Sequence, residues 1–145
     1  MRPLLARVNR KSSIHLRDCE CCGIAFNTTT REKKKMHSSR GVLTKLQRAL
    51  EGRTPLQLSA PKEAAVTLVI RQVRNEPELL FIKRTERETD NWSGHVAVPG
   101  GKVDEGESGR EAAEREAMEE CGLRLDDPSS FQFMGRLDDR CVNEK

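Results

Sequence analysis

Glu116, Glu119 and Glu120 stand at i, i+3 and i+4 in a stretch rich in helix-forming residues. At that spacing the three side chains converge on one stripe of a helix. Like charges so placed repel one another unless a cation sits among them. Hard divalent cations take clustered carboxylate oxygens, and Mg²⁺ in particular joins a few carboxylates to the phosphates of a substrate. Arg115, four residues before Glu119, can pair with that carboxylate and hold it in place. The competing reading is an exposed Glu/Arg helix laced by i,i+4 pairs. It leaves unexplained the glycines at both ends and the small-residue face beside the carboxylates, so the metal site is preferred.

The surrounding residues supply the elements that would position this stripe. Pro99, Gly100 and Gly101 end an apolar run and allow a tight turn. Residues 106–109 form a second loop in which Ser108 is placed to cap a helix. From there to Cys121 the chain is Ala-, Glu-, Arg- and Met-rich, and Gly122 then supplies a left-handed stop. Ala113, Ala117 and Cys121 stack at helical spacing into a small-residue face that can sit close against a sheet.

The whole segment 101–123, GKVDEGESGREAAEREAMEECGL, fits the pattern G-x5-E-x7-R-E-U-x-E-E-x-G-U, where U is apolar. Gly101, Glu107, Arg115, Glu116, Glu119, Glu120 and Gly122 fill its fixed positions, and Ala117 and Leu123 its apolar ones. From average residue usage, a chance match is on the order of one in a million. The pattern is that of the Nudix hydrolases, and the chain resembles that family. The resemblance implies an α/β (α+β) fold, an α/β/α sandwich around a mixed sheet. It implies attack of water on one phosphorus of a pyrophosphate in a nucleoside diphosphate derivative, with Mg²⁺ or Mn²⁺ as cofactor. Glu116, Glu119 and Glu120 would be ligands and, with Arg115, the catalytic set; Glu107 and the Gly101 carbonyl would assist the metal. In the family the general base is one of these glutamates or lies in a later loop.

The stretch 79–102, LLFIKRTERETDNWSGHVAVPGGK, resembles the coenzyme A diphosphatase branch. Leu79, Leu80, Arg84, Gly94, Val96, Ala97, Pro99, Gly100 and Gly101 match it, and 134–137 after the box looks similar. That likeness implies Arg84, Gly100 and Gly101 at the substrate, with coenzyme A or its acyl derivatives cleaved. ADP-ribose, NADH and nucleoside triphosphate clean-up stay open, as does a non-catalytic module that binds nucleotide or a partner. Trp92 is read as a loop anchor rather than a base-stacking residue, and His95 carries no assignment.

Charge divides the chain. Residues 1–60 carry a balance of +9 and residues 61–145 a balance of −6. Residues 1–41 read as a basic, disordered extension, 42–62 as a short amphipathic helix and linker, and 63–145 as the domain. Only 22 residues follow Leu123, short for the family, so a C-terminal truncation is expected. The Lys33–Lys35 run lacks interleaved aromatics, so a nucleic-acid partner is not expected. No apolar run nears the roughly 18 residues that span a bilayer. Cys19, Cys21 and Cys22, with His15 and His37, lack zinc-site spacing and read as free thiols in the arm. Residues 1–17 hold five Lys/Arg, two Ser and no acid, the composition of a mitochondrial leader or of a plain basic tail. A near match to the peroxisomal address R-V-x5-H-L has one residue too many in its gap.

Strands are expected at 64–71 and 78–84, paired as a hairpin, at 95–98, and at 131–137. The helix at 42–50 rests on Val42, Leu43, Leu46 and Leu50.

Overall fold

The computed structural model describes residues 1–8, 23–27, 40–73, 76–86, 88 and 93–142. Within them the elements run β1 (Arg2–Val8), β2 (Gly23–Asn27), α1 (Arg40–Leu50), β3 (Ala64–Val73), β4 (Glu76–Lys83), β5 (Val96–Ala97), β6 (Gly100–Lys102), α2 (Gly109–Cys121) and β7 (Phe131–Arg136). Trp92, the Cys19–Cys22 thiols, His15, His37 and the Lys33–Lys35 run lie outside the described residues.

One sheet holds all the strands in the order β2-β4-β3-β1-β7, with β5 beside β4 and β6 beside β3. It is mixed: β1 runs parallel to β3 and antiparallel to β7. β3 and β4 form the expected hairpin, with Val73 opposite Glu76. Residues 95–102 depart from expectation. Instead of one strand and a turn, β5 pairs with β4 and β6 then pairs with β3. Pro99 between them has no N–H to give to a ladder, so the chain breaks there and passes from one hairpin arm to the other.

The disordered extension expected over 1–41 is corrected in two places. β1 lies inside the sheet, and β2 pairs with β4 along its full length. A strand flanked on both sides gains a full ladder of backbone hydrogen bonds whatever its side chains, so basic composition was no guide. Ala6 is 3% exposed within the main core cluster.

That core joins Ala6, Val69, Leu80 and Ile82 of the sheet to Ala117 and Cys121 of α2. Ala65 meets Ala112 and Ala113 in a second cluster. The small face of α2 therefore does what its spacing implied: it brings the helix axis close to β3 and β6. α1 packs against β7.

The linker after α1 is bolted down. The Asp139 carboxylate accepts from the Leu58 N–H at 2.9 Å and from Arg136 at 2.7 and 2.8 Å. Asp138 accepts from the Leu56 N–H at 2.9 Å and pairs with Arg53. The Met1 ammonium donates to the Arg140 carbonyl at 2.8 Å, and the Arg140 N–H returns to the Met1 carbonyl at 3.2 Å.

Candidate functional site

The helix that carries the carboxylates is fixed at both ends. The Ser108 hydroxyl accepts from the Glu111 N–H at 3.2 Å, and the Glu111 carboxylate accepts from the Ser108 N–H at 2.8 Å. This reciprocal pair satisfies two donors that helix geometry leaves orphaned. The same contacts with Ser108 hold the Glu111 carboxyl below the usual carboxylate range. Gly122 closes the far end at φ 67°.

Two neighbouring glycines place two glutamates. A Cβ at Gly101 would lie 2.3 Å from Glu116 Oε1, so the Glu116 carboxylate rests where only bare backbone leaves room. The Gly100 N–H donates to Glu120 Oε2 at 2.9 Å. Gly100 has φ 152°, and a Cβ there would lie 2.3 Å from the Ala65 carbonyl oxygen and 2.6 Å from the Val66 Cα.

Arg115 is the hub. Its Nε and Nη2 hold the two oxygens of Glu107 at 3.0 and 3.1 Å, a two-pronged pair. Its Nη1 donates to Glu116 Oε1 at 2.9 Å, and its Nη2 to the Lys102 carbonyl at 3.0 Å. The contact with Glu119, which the i,i+4 spacing led us to expect as the main one, is stretched to 3.5 Å. Glu119 turns to solvent, 59% exposed, and is the least constrained of the three.

The carboxylates are electrostatically unequal. Hydrogen bonds from Arg115 and from the Asp104 N–H hold the Glu107 carboxyl below the usual range. Glu120 moves the other way. Burial pushes its carboxyl up, and the charges of Glu116 and Glu119 add to the push, while the Gly100 N–H and the charge of Arg84 oppose it. A group held half in the protein among like charges is one that a cation would relieve.

Arg84 follows β4 directly, and its N–H donates to the His95 carbonyl at 2.9 Å. Of the residues expected at the substrate, Gly101 and Gly100 meet Glu116 and Glu120, and the charge of Arg84 is felt at Glu120. Among the described residues no group of three or more His, Cys, Asp or Glu side chains draws together as a cage for a metal ion. The donor set still fits Mg²⁺, which keeps several waters and needs one or two carboxylates beside substrate phosphates.

Spacing did not reveal the Arg115–Glu107 clamp, because eight residues is no helical repeat and the loop at 104–107 folds back to make it. Nor did it point to the Lys102 carbonyl, which the pairing of β6 with β3 brings under Arg115.

A family model described as NUDIX domain matches residues 61–141. Two curated relatives match parts of the chain. An uncharacterized protein of Schizosaccharomyces pombe is 39% identical over 71 residues, 48% of this chain and 21% of that protein. A mitochondrial coenzyme A diphosphatase of Homo sapiens is 38% identical over 80 residues, 54% of this chain and 34% of that protein. The chain therefore spans 21% and 34% of the lengths of these relatives. No solved structure matches it.

Proposed function

Because the chain belongs to the NUDIX domain family, we propose that it hydrolyses the pyrophosphate bond of a nucleoside diphosphate derivative, with coenzyme A or its acyl derivatives as substrate. The observation that carries the reading is the placement of Glu116 and Glu120 against the bare backbone of Gly101 and Gly100. The named human relative points to coenzyme A within the range of substrates.

A bound Mg²⁺ or Mn²⁺ would be held by Glu116, Glu119 and Glu120, with Glu107 and the Gly101 carbonyl nearby, and would neutralise phosphate oxygens and acidify bound water. Arg115 acts as a positioning residue that fixes Glu107 and Glu116. Arg84 offers a cation on the Glu120 side, where a phosphate would approach. In the reaction the oxygen of water bonds to one phosphorus, the bridging P–O bond breaks, and the departing phosphate takes the electron pair. One glutamate of the set takes the water's proton. No helix among the described residues is long and apolar enough to cross a membrane. A mitochondrial location follows the same relative and the basic segment 1–17. Since Arg2–Val8 is a sheet strand, such an address would have to stay on the mature chain.

The test is a substrate panel with Mg²⁺: coenzyme A, ADP-ribose, NADH, diadenosine polyphosphates and oxidised deoxynucleotides. Coenzyme A should give 3′,5′-ADP and 4′-phosphopantetheine with the highest kcat/KM. Turnover of another member at ten times that value moves the substrate; silence across the panel, with metal binding intact, removes the hydrolase reading.

A further inference from the structure

Between α1 and β3 runs an irregular strap, residues 53–62. Its side chains bury little. Pro55 and Leu58 are half-buried and the others are exposed, Leu56 by 58%. The bonds that hold it are polar. The Leu56 N–H donates to Asp138 Oδ1 at 2.9 Å, and the Leu58 N–H to Asp139 Oδ2 at 2.9 Å. The Leu56 carbonyl accepts from the Asp139 N–H at 3.0 Å, and Arg53 pairs with Asp138.

The two segments so tied are also two rims of one cavity, of about 990 Å³. Leu58 and residues 60–62 line it from the strap, and residues 139–142 line it from the other side. Ala64 and Val66 of β3 line it as well, while Ala65 between them faces α2, so the cavity lies on the sheet face away from that helix. The bonds of Asp138 and Asp139 to the strap therefore run from rim to rim.

Both ends of the strap suit a hinge. Gly52 before it has φ 70° and open space where a Cβ would stand. Beyond its other end the Glu63 carbonyl takes the Val103 N–H at 3.0 Å, and the sheet begins. Release strands no charge. The buried Asp139 carboxylate keeps both contacts with Arg136, at 2.7 and 2.8 Å, when the Leu58 N–H leaves. Asp138 and Arg53 are 39% and 43% exposed and pass to water. The heavy cost of breaking a buried ion pair comes from the lone charge left behind, and here none is left. A segment with few buried apolar contacts and bonds close to solvent belongs to the low end of local stability.

We propose that residues 53–62 are a hinged strap that swings off the 138–139 rim as one unit and admits solutes to the cavity while the sheet stays folded. Asp138 and Asp139 are its clasp, and their hold on Leu56 and Leu58 sets how often it opens.

Amide hydrogen exchange of the full chain, resolved by residue with NMR, reads the opening. The Leu56 and Leu58 N–H groups should exchange at one common opening rate, at least tenfold faster than the paired amides of β3. Their exchange should barely respond to denaturant, the mark of an opening that exposes little surface. Asp138→Ala should speed both at least tenfold and leave β3 unchanged, although the acceptor of Leu58 is Asp139. Ala64→Cys places a thiol on the cavity wall. Its alkylation by iodoacetamide, followed by peptide mass mapping, should rise by the same factor when Asp138→Ala is added. Exchange of Leu56 and Leu58 in the parent at the rate and denaturant slope of β3 overturns the proposal. So does a faster Leu56 with an unmoved Leu58, or an opened strap with unchanged alkylation of the introduced thiol.

Discussion

At the scale of single residues, Gly100 and Gly101 sit side by side and fail in different ways when given a methyl group. At Gly101 the new Cβ meets the far end of a flexible side chain, the Glu116 carboxylate. Gly101→Ala should melt close to the parent yet lose about 100-fold in kcat, because the carboxylate must move by an ångström or so. At Gly100 the Cβ meets the Ala65 carbonyl and the Val66 Cα, which cannot yield, and φ is positive. Gly100→Ala should lose on the order of 1–3 kcal/mol or more of stability, read by denaturant titration. Equal melting of both variants would refute the distinction. The glutamates make a second contrast. Glu119→Gln and Glu120→Gln should each cut turnover by about 100-fold or more. Glu120 has a raised carboxyl in the folded state, so its ionised form disfavours folding at neutral pH, and that penalty is absent below the ordinary carboxylate range. Metal-free Glu120→Gln should therefore melt no lower than the parent at pH 7. Added Mg²⁺ should raise the parent's melting temperature and not the variant's.

At the scale of elements, α2 was the most legible part of the chain. Its cap, its stop and its small face were all written in local residue types, and local types suffice when the partners lie within four residues. The reciprocal bond of Ser108 and Glu111 adds a pH dependence. Glu111 is held below its ordinary range, so the bond stabilises the fold above pH ~4.5 and is lost as pH falls through the depressed value. Ser108→Ala should cost about 1 kcal/mol at pH 7 and less at pH 3, as checked by thermal melts at the two values. A cost that stays constant would place the effect elsewhere. The strands were legible where both arms of a hairpin stood close in sequence, as in β3 and β4. β1 was not, because a parallel partner some sixty residues away leaves no periodic trace in a seven-residue strand. The clamp of Arg115 on Glu107 was hidden for the same reason: a loop, not a repeat, joins the two. Residue type marked the carboxylates themselves, and only packing showed that Arg115 holds Glu119 more loosely than Glu107 and Glu116.

At the scale of the whole molecule, residues 2–8 and 23–27 belong to the sheet as β1 and β2. Removing residues 1–8 should leave β3 and β7 with facing unpaired edges, and edges of that kind recruit other chains. The shortened protein should aggregate or lose cooperative unfolding, seen by light scattering and circular dichroism. Ala6→Lys, a charge at a site 3% exposed, should cost about 3 kcal/mol or more. A trimmed chain that stays monomeric and unfolds sharply would show that β1 is dispensable. The placement of β1 also has a consequence in time. It leaves the ribosome long before its antiparallel partner β7, which ends at Arg136. At about 5–20 residues per second, its slot in the sheet cannot be completed for roughly 6–26 s. Throughout that interval β1 lacks one of its two neighbours, and once β7 arrives its backbone is flanked on both sides. Synthesis rate would then set how long that open edge is offered to other chains before the sheet closes over it.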